Sequence, residues 1–172
     1  MILPVEGDEK SGWKPGKPSV FLSSPAAEQE PMFSPDGRWI AYQSNESGRF
    51  EVFVRPFPGP GGKWQISTAG GDHPTWSQAR HELFYRTPQD NRIMVATYTV
   101  EGDSFKADKP RLWSEQPILP RSRQRVFDLH PDGERLAASV VTGPQAEEKR
   151  DKVVFIFNFF DELRRIAPVG RK

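Results

Sequence analysis

The chain contains no cysteine. Disulfide staples, thiolate zinc sites and a cysteine nucleophile are therefore excluded, and the redox compartment stays open. No apolar run approaches the roughly 18 residues that a membrane-spanning helix needs, so no membrane insertion is expected. The longest, VVFIFNFF (153–160), is interrupted by Asn158 and has the length of a strand. Neither charge is in excess: 24 Lys and Arg stand against 23 Asp and Glu. A nucleic-acid binder carries a clearer basic surplus, so none is expected as a partner. The basic stretches RSRQR (121–125) and RRIAPVGRK (164–172) read as a solvated loop and a tail. No Gly-x-Ser-x-Gly elbow is present, so a Ser-His-Asp triad has no anchor. PGPGGK (58–63) lacks the Walker spacing and reads as a connection between strands.

What the chain does have is turn chemistry. Its 172 residues, enough for one domain, include 17 prolines and 14 glycines. That suits many short strands and disfavours a helical fold. EPMFSPDGRWIAYQS (30–44) is the clearest case. Pro35 presets the second turn position, Asp36 tolerates the third, and Gly37 accepts positive φ. Ser34 can accept a hydrogen bond from the turn backbone. β-Favouring residues flank the turn, so the stretch reads as a hairpin.

The phrase then repeats. HPTWSQARHELFYR (73–86) aligns with residues 30–43 at an offset of 43, matching Pro74 to Pro31, Trp76 to Phe33, Ser77 to Ser34 and Tyr85 to Tyr42. VFDLHPDGERLAAS (126–139) follows at a further offset of 53. The second copy has Gln78-Ala79-Arg80 where the others have Pro-Asp-Gly, so its turn should be less tight. A third apolar run follows each hairpin: FEVFVRPF (50–57), RIMVATYTV (92–100) and KVVFIFNFF (152–160). A weaker fourth follows the first two, KWQIST (63–68) and PRLWSE (110–115). Four short strands per repeat of about 40–50 residues is the pattern of propeller blades. The fold class is therefore read as all-β, with about three four-stranded antiparallel blades. Residues 1–16 read as a flexible arm, 17–24 as an outer strand, and 30–69, 73–115 and 125–160 as blades. DELRRI (161–166) reads as a helical turn opening the C-terminal tail, 161–172.

EPMFSPDGRWIAYQSNESGRFEVFVRPFPG resembles the TolB-like β-propeller repeats of bacteria. It is most similar to those placed C-terminal to bacterial serine/threonine protein kinases. The ending VVFIFNFFDELRRIAP resembles the close of the same propellers, and the resemblance spans about residues 17–168. No kinase Gly-rich loop or His-Arg-Asp sequence accompanies it, so kinase activity is excluded. Family propellers have about six blades, whereas three are counted here. Two copies could complete a six-bladed ring as a homodimer, each supplying residues 17–24 to the other's last blade.

Propellers in general place function at the channel mouth, where each innermost strand begins. The resemblance puts Glu30, Asp72, His73 and Arg125 there. It implies a non-catalytic module that binds a protein, peptide or small ligand, with no cofactor. The alternative is a calcium-dependent propeller hydrolase of lactones or esters. In that case Glu30, Asp72 and Asp128 would converge on the ion, and His73 is the candidate catalytic group. Glu30 and His73 also have a plainer reading, since each precedes a proline at a strand entry, where exposed polar residues are expected. His130 reads as a turn residue and His81 as solvated. The aromatics Trp39, Trp64, Trp76, Phe84, Tyr85, Phe155 and Phe157 read as core between blades. MILPVEGDEK has neither a basic start nor an apolar centre, so no signal peptide is read. A cytoplasmic location is expected if Met1 is the native start, an extracytoplasmic one if the chain belongs to a longer protein.

Overall fold

The computed structural model describes residues 1–119 and 125–140. Among them the chain is all-β, with no helix. Its sheets are antiparallel, and none of them closes on itself. Strands β1 (Val5–Glu6) and β2 (Lys14–Pro15) pair as a short ribbon within the N-terminal arm. Asp8 accepts the amides of Lys10 and Ser11 in the turn between them. Residues 17–24 form no strand within the chain: Ser19 alone pairs, with Ile2. Pro18 within this stretch and Pro25 just after it lack the N–H groups that a ladder needs.

The first sheet contains β3 (Glu28–Phe33), β4 (Trp39–Ser44), β5 (Glu51–Pro56) and β6 (Trp64–Gln65), in that spatial order. Its first turn is closed by Ser-Pro-Asp-Gly. The Gly37 amide donates to the Ser34 carbonyl at 2.9 Å with φ of 70°, and the Trp39 amide donates to Ser34 Oγ at 2.9 Å.

The second sheet contains β7 (Asp72–Trp76), β8 (Glu82–Arg86), β9 (Ile93–Glu101), β10 (Ser104–Ala107) and β11 (Arg111–Ser114). Here the expected fourth strand is present as β11, and an additional strand, β10, joins the same edge. β9 is long enough to pair with β11 at one end and with β10 at the other, on the edge away from β8. The β9–β10 hairpin turns on Gly102 and Asp103, a two-residue loop between paired Glu101 and Ser104. The β7–β8 turn is looser, as the loss of Pro-Asp-Gly implies. The Glu82 amide donates to the Arg80 carbonyl at 2.8 Å, in place of the bond from a turn glycine.

The third hairpin, β12 (Phe127–Leu129) and β13 (Leu136–Ala138), restores that bond between Gly133 and His130 at 2.9 Å. His130 takes the turn position of Ser34, and its Nδ1 accepts the Asp132 amide. The third run of this repeat and the helical turn at 161–166 lie outside the described residues.

Side chains alternate across each strand, and the repeats stack by one rule. Trp39, Ala41, Val52 and Val54 of the first sheet pack against Leu83, Tyr85, Met94 and Ala96 of the second. The opposite side of the second sheet, with Phe84, Ile93 and Val95, packs against Leu129, Leu136 and Ala138 of the third hairpin. Leu136 aligns with Leu83, and Leu83 with Ile40. The back of each repeat thus covers the front of the next. The rule explains Phe33 and Trp76, which share a front position. Trp76 is 3% exposed because a sheet lies over it, and Phe33 is 48% exposed because among the described residues none does.

Candidate functional site

β3 and β7 lie side by side, and β12 lies against β7. The ladder slips at the same place in the first two: between Gln29 and Met32 in β3, and between Asp72 and Thr75 in β7. At each slip one residue precedes a proline with φ of 52°, Glu30 in the first sheet and His73 in the second. This left-handed backbone costs a side-chain-bearing residue about 1–2 kcal/mol. The bulge at His73 turns its amide toward the first sheet, where it donates to Gln43 Oε1 at 3.0 Å.

A polar chain runs on from there. Gln43 Nε2 donates to Gln29 Oε1 at 3.2 Å, its partner on the adjacent strand. The equivalent rung of the second sheet pairs Asp72 with Arg86. Arg86 Nε donates to Asp72 Oδ1 at 2.8 Å, and its Nη2 donates to Asp72 Oδ2. Arg86 Nη1 reaches Asn91 Oδ1 at 3.1 Å. His73 Nδ1 lies 3.0 Å from Asp72 Oδ1. Burial pushes the Asp72 carboxyl up, but the bonds from Arg86 and His73 outweigh it and hold the group below the usual carboxylate range. The repeat thus places a neutral Gln–Gln contact in one sheet and an ion pair at the same rung of the next.

Arg125 reaches furthest across the repeats. Its Nε donates to the Phe127 carbonyl at 3.1 Å and its Nη2 to Asp128 Oδ1 at 3.0 Å. Its Nη1 lies 3.4 Å from Met32 Sδ in β3. The structure therefore joins Asp72 to His73 and Arg125 to Asp128. Glu30 is half-buried and has no hydrogen bond or ion pair among the described residues.

The calcium set Glu30, Asp72 and Asp128 is not gathered. Asp72 is bound by a guanidinium, and among the described residues no three His, Asp or Glu side chains cluster so as to hold a metal. Asp72 and His73 are 7% and 8% exposed, which suits an anchor between sheets better than a group that meets substrate. Thr75 Oγ1 donates to the His73 carbonyl rather than its ring.

Gln43, Arg86 and Asn91 were missed in the sequence. The signal for Arg86 was present: it aligns with Gln43 and ends the apolar run Leu83-Phe84-Tyr85, where a charge needs a buried partner. The other histidines follow expectation. His81 is exposed and stacks on Tyr98 at 5.1 Å, and His130 is a turn residue. Compared with protein-family models and with curated proteins, the chain matches none.

Proposed function

We propose that the chain is a non-catalytic TolB-like propeller module that binds a protein, peptide or small ligand at the channel end of its blades. Glu30, Asp72, His73 and Arg125 mark that end, where the inner strands begin. One observation carries the reading: Arg125 of the third repeat touches Met32 of the first. Three inner strands that converge in this way form the wall of a channel mouth. Glu30 supplies a carboxylate with no ionic partner among the described residues, and Arg125 a guanidinium half open to solvent. Asp72, His73 and Arg86 hold the strands behind them. The surface is thus suited to a partner carrying both charges, such as a peptide.

An array of peptides of graded charge, probed with the intact chain, tests this. Binders should be lost in the Glu30→Ala, Arg125→Ala double variant while its urea midpoint is kept. Binding indifferent to both changes would place the site elsewhere. Turnover of a lactone or ester panel by the wild-type chain, abolished by chelator, would overturn the non-catalytic reading.

A further inference from the structure

Among the described residues, the stacking rule leaves one front face without a sheet over it. In the second sheet, Leu83 and Tyr85 are covered by the first. Their counterparts in the first sheet, Ile40 and Tyr42, line a cavity together with Ile2, Leu3 and Phe21 of the N-terminal segment, which forms a strap here. Short stretches of chain stand in for a whole sheet, and they fill its place incompletely. A cavity of about 320 Å³ remains between strap and sheet. That is within the size range of small-molecule sites, about 300–1,000 Å³.

Its chemistry is lopsided. The walls are mostly aliphatic and aromatic, with Phe33 half open to solvent. Among the described residues Glu28 is the only charged side chain in the lining, to which Met1 adds its α-amino group. Its Oε1 accepts from Ser24 Oγ at 2.6 Å, which fixes the carboxylate, and neither the Met1 amino group nor any Lys, Arg or His forms an ion pair with it among the described residues. The nearest cation on the sheet is Arg55, which donates to the Tyr42 hydroxyl at 3.2 Å. Arg55 sits opposite Ile40 and Glu28 opposite Ser44. Four residues of β4 separate these rungs, roughly 13 Å at strand rise. An apolar slot with a single fixed anion at one end complements a cation with a hydrocarbon body. We propose that this cavity is a binding site for a small amphiphilic amine, with the ammonium on Glu28 and the apolar body under the strap against Phe33 and Ile40.

The test is calorimetric titration of the intact chain with n-octylamine, 1-octanol and octanoate. These share a tail and differ in head group. Octylamine should bind about tenfold tighter than octanol, since only it can form the charge-assisted bond. Octanoate should bind more weakly than either. Glu28→Gln should close the gap between amine and alcohol while leaving octanol affinity and the urea midpoint unchanged. Phe33→Asp should weaken all three. Equal affinity for amine and alcohol in the wild type, a gap that survives Glu28→Gln, or no binding of either would overturn the proposal. Light scattering at the same concentrations covers the other occupant. A dimer that Phe33→Asp dissociates and octylamine leaves intact would make this face an interface between copies, and the amine site would fall.

Discussion

Glu30 and His73 hold the same backbone conformation at the same point of two successive repeats, with φ of 52° and a proline next in sequence. The two side chains have nothing chemical in common. The shared geometry therefore belongs to the repeat, in which a bulge at this position lets the inner strand turn its edge toward its neighbour. The side chains then diverge. His73 contacts Asp72, whereas Glu30 makes no polar contact among the described residues.

Glu30→Gly should accordingly stabilise the protein, by about 0.5–1 kcal/mol, because glycine adopts positive φ without the steric cost. His73→Gly should not, since it also removes the contact to Asp72. Urea unfolding of both variants measures the difference. A destabilised Glu30→Gly would mean that the glutamate makes a contact worth more than its strain.

Trp76 and Phe33 provide a second contrast. Trp76 is packed between sheets, and its Nε1 donates to the Met32 carbonyl at 3.0 Å. Trp76→Ala should cost about 3–5 kcal/mol. Phe33 holds the equivalent place under the incomplete strap, so Phe33→Ala should cost less than about 1 kcal/mol. Similar losses at the two positions would mean that both front faces are equally covered.

All three tyrosines of the chain have raised pKa values, so ultraviolet titration reads the packing directly. Burial pushes Tyr85 up to about 12, helped by the buried Glu51 carboxylate. Burial also pushes Tyr98 up to about 12, with Asp36 adding to it. Burial raises Tyr42 as well, against the bond from Arg55. Phenolate absorbance should therefore rise well above pH 10, the ordinary value. The folded pKa values exceed the unfolded ones. The stability they represent is complete below pH 10 and is lost as pH climbs toward 12. A titration step at pH 10 in folded protein would contradict this packing.

Hairpins were legible in the sequence because their signals are local. Ser34-Pro35-Asp36-Gly37 and His130-Pro131-Asp132-Gly133 specify their turns within four residues. The extra strand β10 at the edge of the second sheet is not among the runs read from the sequence, although Gly102-Asp103 is a hairpin signal, because the repeat pattern gives β9 a single outer neighbour at 110–115. In the site, Asp72 and His73 were found because they are adjacent in the chain. Arg86 and Gln43 were not, because their roles depend on strand register and on two repeats lying side by side. The strap was missed for a related reason: residues 17–24 match an outer strand in pattern, and nothing local indicates that Phe21 faces Phe57 across the first sheet instead.

The rung at Asp72 and Arg86 permits the sharpest test, because the first sheet offers its own control. Arg86→Gln alone leaves a buried carboxylate without its main partner and should cost about 3–5 kcal/mol. Adding Asp72→Gln rebuilds the Gln29–Gln43 arrangement and should recover most of that loss, since a neutral hydrogen-bonded pair avoids the desolvation of two charges. The two forms should also differ with pH. Asp72 has a depressed pKa in the folded protein, so its contribution is complete above the unfolded value, 3.8. It is lost as pH falls through the folded value. Wild-type urea midpoints should therefore drop as pH falls below about 4, and the double variant should lack that component. A double variant as unstable as Arg86→Gln, at every pH, would show that this rung requires an ion pair and that the first sheet's glutamines are not its equivalent.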